Sequence, residues 1–501
     1  MSTSAVQRDR SGWERLSASV RPEGRAFIAG RPVAARDGGV FDDISPIDGQ
    51  VVCQVARCRS ADVDAAVAAA RTSFETGPWR RMEPRERKRI LRRFAELIRA
   101  DVDRLALLET RDVGKPIVNS VSVDVANCAD CIEYYAEFAD KLYDEVAPTG
   151  PSDLALVRRE PLGVVAAIVP WNYPLIISAW KVGPALLAGN SVVLKPAEQS
   201  PLSGIRLGEL ACEAGVPPGT FNVVPGLGEE AGKALALHPE VDLVSFTGST
   251  EVGRLMLRYA ADSNLKRVAL ECGGKTPQVV FADADVEAAA YGIAWGIYYN
   301  SGETCHAGSR LIVQEGVKEA LLAAIRRVTA TITLGHPLDP GTQMGALIDR
   351  SHMQRVLGFI DSGVADGARI AFGGRQALAE SGGFYVEATV LDGVRPDMKV
   401  AREEIFGPVL AVMSFRDESE AVRLANDTPY GLAASVWTAD MNVAHRVSGA
   451  LRGGTVWVNS FDRSSMATPF GGFKLSGSGR DRSPHAIEKY CDLKTIWTHY
   501  P

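Results

Sequence analysis

Apolar positions recur at helical spacing through the first 140 residues. Ser60 reads as the cap of an Ala-rich helix running to about Phe74. In the segment that begins near Pro84, the residues Ile90, Leu91, Phe94, Leu97 and Ile98 fall on one face, as in a helix with one buried side. Residues 101–110 and 121–140 continue this helical layer. Ahead of it, 25–28 and 51–55 read as short strands joined by Gly- and Asp-rich turns.

From residue 163 the texture changes, and short continuous apolar runs alternate with helical segments. Strands are expected at 163–170, 191–195, 221–225, 241–246 and 267–271, with helices at 175–188, 203–214, 229–237 and 251–261 between them. Such alternation makes successive βαβ units and hence a parallel sheet covered on both faces, the plan of a doubly wound nucleotide-binding domain. A second αβ set follows, with helices at 286–298, 318–331 and 351–361 and strands at 310–313 and 410–414. The strand-like tail 493–498 exposes an edge that needs a partner. With 156–159 it forms an expected strand arm for subunit contact. The expected fold is therefore α/β, in three parts. A doubly wound parallel-sheet cofactor domain spans 1–140 and 160–270, an αβ catalytic domain 271–470, and a small β-strand oligomerisation arm 141–159 and 484–501.

A chain of 501 residues has room for two or three domains, and 46% hydrophobic with 23% charged residues suits a large buried core. The net charge of −6 gives no support to nucleic-acid binding. The basic cluster Arg85, Arg87, Lys88 and Arg89 reads as a solvated helix face. No run approaches the ~18 uninterrupted apolar residues of a membrane span; the nearest, 175–187, is broken by Lys181 and Pro184. Residues 1–25 are polar with no apolar signal core, so a cytoplasmic protein is expected. Eight cysteines are too few for a disulfide scaffold. Cys128 and Cys131 read as two thiols on a helix, and no metal site is expected.

Two segments carry candidate chemistry. In Gly302-Glu303-Thr304-Cys305-His306-Ala307-Gly308-Ser309-Arg310, a cysteine between glycines follows a helix and can present its thiol from a tight loop. In Leu270-Glu271-Cys272-Gly273-Gly274-Lys275, a glutamate ends a strand, and two glycines let another chain or ligand approach closely. Alone, each has a plainer reading, a core cysteine or a surface carboxylate.

Together with five further motifs, they give the chain an end-to-end resemblance to the aldehyde dehydrogenase family. The motifs are Pro170-Trp171-Asn172-Tyr173-Pro174, Lys195-Pro196-Ala197-Glu198, Phe246-Thr247-Gly248-Ser249-Thr250, Glu403-Glu404-Ile405-Phe406-Gly407-Pro408 and Pro469-Phe470-Gly471-Gly472-Phe473-Lys474. The resemblance implies NAD(P)-dependent oxidation of an aldehyde to a carboxylic acid. Cys305 is implied as nucleophile, Asn172 and the Cys305 N–H as oxyanion donors, and Glu271 as the base that activates water on the thioester. Lys181 is implied in a proton relay, where Asp481 stands in place of the glutamate of many relatives. The implied cofactor residues are Val169, Pro170, Trp171, Lys195, Ala197, Glu198, Gly228, Phe246, Gly248, Ser249, Glu404 and Phe406. Glu198 beside the adenine ribose favours NAD, and Lys195 leaves NADP open.

Within the family, the resemblance is to bacterial aminoaldehyde dehydrogenases such as gamma-glutamyl-gamma-aminobutyraldehyde dehydrogenase, of putrescine breakdown. Tyr173, Trp180, Tyr299 and Phe470 are the implied aromatic tunnel walls, and Asp124 and Asp462 are acids that would suit an amine-bearing substrate. Betaine aldehyde, guanidinobutyraldehyde, aliphatic aldehydes and semialdehydes stay open, the last because of Arg463. His306 is expected to be structural, pointing away from the Cys305 thiol. A homotetramer built as a dimer of dimers is expected, with a dimer as the alternative.

Overall fold

A computed structural model describes residues 8–501. The first seven residues, which open the expected cofactor-domain span and the polar stretch 1–25, lie outside the described residues. Two seven-stranded sheets form the frame. In the first, the order is Arg267–Glu271, Leu243–Thr247, Val164–Ile168, Ser191–Lys195, Phe221–Val223, Ala26–Ile28 and Arg31–Val33. Its first five strands are parallel; Ala26–Ile28 runs antiparallel to them, and Arg31–Val33 antiparallel to it. All five residues of Val164–Ile168 and of Ser191–Lys195 are buried. A sheet covered on both faces demands such continuous apolar runs, and each buried valine or leucine side chain is worth roughly 1.5–3 kcal/mol.

In the second sheet the order is Arg369–Phe372, Thr389–Asp392, Val409–Phe415, Arg310–Gln314, Pro277–Val280, Ala433–Trp437 and Thr455–Val458. Only Arg369–Phe372 runs antiparallel to its neighbour. A third, smaller sheet joins Glu145–Ala147, Asp153–Pro161 and Cys491–His499. There the tail pairs with 153–161 over nine residues, from Cys491 opposite Pro161 to His499 opposite Asp153. Leu493 and Trp497 stay exposed on it.

Several helices depart from the pattern read in the sequence. Ser60 is the first residue of the helix Ser60–Thr76, not its cap. The capping carboxylate is Asp62, which accepts from Arg59 N at 2.9 Å and from Arg36 N at 2.8 Å. The segments read as 121–140 and 229–237 each begin in a π-helical turn, Ser120–Val125 and Gly228–Gly232, before α-helix resumes. Among the described residues, no helix is long and apolar enough to cross a membrane.

Candidate active site

The first sheet reverses its winding between two adjacent strands. From Val164–Ile168 the chain moves outward to Ser191–Lys195 and Phe221–Val223, then returns to Leu243–Thr247 on the other side. Crevices at the carboxyl ends of strands open where the winding reverses. A cavity of about 380 Å³ lies there, lined by Pro170, Trp171, Asn172, Gly248 and Ser249, and by Glu404 and Phe406 from the opposite side. Ser249 caps the helix Thr250–Ala261, its side chain accepting from Val252 N at 3.2 Å. The positive end of that helix therefore faces the cavity.

Val169, Lys195, Ala197, Glu198 and Gly228 are not on this cavity's wall. Val169 N–H donates to Lys195 O at 3.2 Å, which ties the ends of two neighbouring strands together. Lys195 Nζ lies 3.0 Å from Glu198 Oε2. Phe246 requires a correction: its side chain is buried in an apolar cluster directly beneath Gly248, where an added Cβ would come within 2.5 Å of the phenyl ring. The ring holds the turn from below and does not line the cavity. The polar groups on the wall still fit a dinucleotide: a helix start for a phosphate, a buried Thr247 hydroxyl without a partner, and the Glu404 carboxylate.

Cys305 is brought to the same cavity by a strained turn. Asn300 and Ser301 hold left-handed conformations, φ 49° and 54°, and Gly302 follows at 76°. Such strain persists only where surroundings hold it. Here Asn300 Nδ2 donates to Asn172 O and Glu303 O, Ser301 Oγ donates to Gly345 O, and Ile348 N–H donates to the buried Glu303 carboxylate. Asn172 Nδ2 donates to Glu303 O at 2.9 Å, clamping the loop to the end of the first sheet. Gly274 is needed at its position, because a Cβ there would lie 2.5 Å from Cys305 O.

Glu271 closes the cavity from the strand Arg267–Glu271. Both its carboxylate oxygens are buried without a hydrogen-bond partner. Burial, reinforced by the nearby Asp481 carboxylate, holds its pKa well above the usual carboxylate range against the pull of Lys489, Lys181 and Arg480. The segment after Lys474 braces this strand end: Ser478 and Gly479 N–H groups donate to Leu270 O, and Cys272 N–H donates to Ser476 O. Lys181 is fully buried with Nζ 3.1 Å from Asp481 Oδ2, so aspartate at 481 does reach the lysine. Asp481 also accepts from Lys489 Nζ, a partner that no motif announced. Burial lowers the Lys181 pKa, and Asp481 offsets part of that shift.

On the far side of the loop the expected substrate residues divide. Trp180 and Phe470 line the cavity with Cys305, their rings 5.2 Å apart. Tyr173 OH pairs with Thr304 Oγ1 at 2.7 Å, and Lys115 Nζ sits 4.2 Å from its ring centre. Tyr299 and Asp462 line a second cavity of about 430 Å³ with Trp295, Trp437, Phe461 and Arg463. Asp124 is a correction: it is fully buried, its Oδ1 is 2.8 Å from Lys115 Nζ, and it lines neither cavity. A buried carboxylate needs a partner, and Lys115 supplies it. His306 is a third correction, since it turns toward the thiol. Its Nδ1 lies 3.8 Å from Cys305 Sγ and its Nε2 2.9 Å from Asp462 Oδ1.

Four cavity residues, Ile177, Glu251, His352 and Arg355, were missed in the sequence. His352 and Arg355 share one face of the helix Arg350–Ala365. His352 Nε2 lies 2.6 Å from Phe406 O, and burial lowers its pKa to about 4. The neutral ring can therefore donate to that carbonyl. Arg355 donates to the carbonyls of Glu404 and Ile405. Their three-residue spacing marks a shared helix face, but nothing local says that this face meets residues 404–406.

Comparison with known proteins agrees with this geometry. A model of the aldehyde dehydrogenase family matches residues 33–496. The chain is 48% identical over 486 residues to the NADP/NAD-dependent aldehyde dehydrogenase PuuC of Escherichia coli (strain K12), covering 97% of each. It is 53% identical, with a TM-score of 0.97, to a gamma-glutamyl-gamma-aminobutyraldehyde dehydrogenase from Burkholderia cenocepacia J2315, covering 99% of this chain and 100% of that one. An indole-3-acetaldehyde dehydrogenase solved with NAD+ is 52% identical at the same TM-score, with 98% and 100% covered.

Proposed function

Since the chain belongs to the aldehyde dehydrogenase family and is an NAD(P)-dependent oxidoreductase, we propose that it oxidises amine-bearing aldehydes to acids through a thioester on Cys305. One observation carries the chemistry: Cys305, Asn172 and Glu271 line a single cavity, walled by Trp180 and Phe470. Sulfur attacks the aldehyde carbon, and the carbonyl π electrons move to oxygen. The Cys305 N–H and the second N–H of the Asn172 amide, whose first is spent on Glu303 O, stabilise that oxygen. Such a donor is typically worth ~3–4 kcal/mol. Ser249, Glu198, Glu404 and Phe406 would hold NAD, which would supply the hydride acceptor. Glu271 in its carboxylate form then takes a proton from water as that water attacks the thioester, and sulfur leaves. Lys181 and Asp481 offer the onward path for that proton. The acyl form is resolved by water rather than by a second thiol, because a carboxyl group stands beside the site.

The substrate preference rests on the second cavity. Trp295, Tyr299 and Phe461 offer aromatic faces to a cation, while Asp462 and Arg463 bring both charge signs to one mouth. That pairing suits a zwitterionic head, such as the amino-acid end of gamma-glutamyl-gamma-aminobutyraldehyde. The name of the Burkholderia relative supports the same class. The test is a comparison of kcat/KM across gamma-glutamyl-gamma-aminobutyraldehyde, an unmodified aminoaldehyde, betaine aldehyde, guanidinobutyraldehyde, succinic semialdehyde and propanal, with NAD and with NADP. The zwitterionic substrate should lead by about tenfold or more; equal rates for propanal would remove the amine preference, and a lead for the semialdehyde would transfer it to Arg463.

The strand Cys491–His499 and its partner Asp153–Pro161 are proposed as the arm for assembly into a homotetramer, supported by exposed Leu493 and Trp497. The first and second sheets are proposed as the cofactor and catalytic domains.

A further inference from the structure

The reaction as described leaves one contact at the sulfur unused. Cys305 Sγ, the His306 imidazole and the Asp462 carboxylate form a continuous chain, 3.8 Å and 2.9 Å between the facing atoms. The imidazole is fixed by aromatic neighbours, with ring centres 5.6 Å from Phe470, 5.8 Å from Trp457 and 6.3 Å from Phe461. Asp462 is offered to it by a strained loop after the strand Thr455–Val458, with Asn459 at φ 49° and Asp462 itself at φ 55°. Non-glycine residues seldom adopt such angles, and they are held there only by a surrounding structure.

Resting on the reading of Cys305 as the nucleophile, we propose that His306 is a catalytic residue that holds Cys305 as a thiolate, with Asp462 anchoring the imidazolium. The S–H bond breaks and an Nδ1–H bond forms, so the thiol proton resides on the imidazole while sulfur keeps the electron pair. The Nε2–H donates to Asp462. When sulfur bonds to the aldehyde carbon, the imidazole retains its proton, and no other reactant is required. A thiolate is the reactive form of cysteine, and a cationic neighbour favours it.

The charges on the imidazole and on its carboxylate anchor fit this geometry. Burial opposes charge on His306, but the Asp462 carboxylate outweighs it and raises the imidazole to about 10. In return, His306 overcomes the effect of burial on Asp462 and holds it below its usual range, aided by Arg482. Arg482, stacked on Phe470 and Trp180, is the other cation facing the pair. Tyr299 faces Asp462 as a neutral phenol, because burial, with Asp124 and Asp462, pushes its pKa above the ordinary value. Half of the Asp462 side chain remains exposed, so the carboxylate that anchors His306 still faces the substrate mouth.

The test uses the full chain without nucleotide. Iodoacetamide is applied from pH 5 to pH 10, and modification of the Cys305 peptide is timed by mass spectrometry. Wild type should stay reactive at pH 6. His306→Asn should react at least about tenfold more slowly there, and Asp462→Asn by an intermediate factor, with all three rates converging at pH 10, where any thiol ionises. Overlaying profiles would overturn the proposal, and so would a uniform loss at every pH, which marks blocked access rather than lost ionisation. The nucleophile reading is tested separately: turnover that survives Cys305→Ala would sink it whatever the alkylation profiles show.

Discussion

On one side of the Cys305 loop the cavity wall is anchored on fixed backbone: the ends of parallel strands, the helix start at Ser249, and the glycines Gly248 and Gly273, with Gly274 packed behind against Cys305 O. On the other side it is side chain. Trp180 and Phe470 reach into the first cavity, and Tyr299, Phe461 and Asp462 line the second, from separate segments. A wall of backbone can grip any ligand that carries phosphates and hydroxyls. A wall of long side chains can be retuned one residue at a time without disturbing the sheet beneath. Cofactor use should therefore be hard to alter, and aldehyde preference easy.

The largest expected effect removes the element both sides share. Cys305→Ala should lower turnover by about 10⁴-fold or more while NAD still binds, as read by fluorescence titration. Loss of NAD binding in that variant would mean that the two sides are not independent. Next, Glu271→Gln should cut steady-state turnover by about 10²–10³-fold yet preserve a rapid burst of NADH, since the carboxylate serves only the later step. The same residue sets a pH trend. Burial raises the Glu271 pKa above the usual carboxylate range, so the active carboxylate forms at higher pH than an ordinary carboxyl's, and steady-state turnover should climb as pH rises. A flat profile in Glu271→Gln would confirm the source, whereas an unchanged slope would assign it elsewhere.

Two smaller effects test the division itself. Glu198→Gln removes the negative charge expected at the adenine ribose and should narrow the preference for NAD over NADP by about tenfold, with aldehyde KM unmoved. Trp295→Ala should raise KM for amine-bearing aldehydes by about two- to fivefold, the scale of one exposed cation–π contact, with KM for NAD and for propanal unmoved. A crossed result, in which either variant shifts the other ligand's KM, would break the comparison.

The same contrast explains what was legible in the sequence. The βαβ run from 163 to 271 could be read to within about two residues at each strand end, because burial on both faces leaves a continuous apolar signature. The glycines around Cys305 and after Glu271 marked close approaches for the same local reason. Side-chain partners did not show. Asp124 looked like a tunnel acid because the sequence does not announce that Lys115 neutralises it. His306 was expected to point away from Cys305, but the two sit in a turn, where adjacent side chains can converge. His352, Arg355 and Lys489 depend on contacts between segments distant along the chain, which no spacing rule reveals. The π-turns at 120–125 and 228–232 likewise escaped a reading built on 3.6-residue periodicity.

The last strand also has a root. Just before it, Lys489 clasps Asp481, the Tyr490 carbonyl accepts from Asn190, and the Tyr490 hydroxyl meets Ser245. A protease cut after Tyr490 would spare these ties, whereas one placed a single turn earlier would strip Asp481 of its second cation. Tag placement and domain trimming at this end therefore have a boundary only a few residues wide, set by the buried lysine and not by the ribbon that hangs from it.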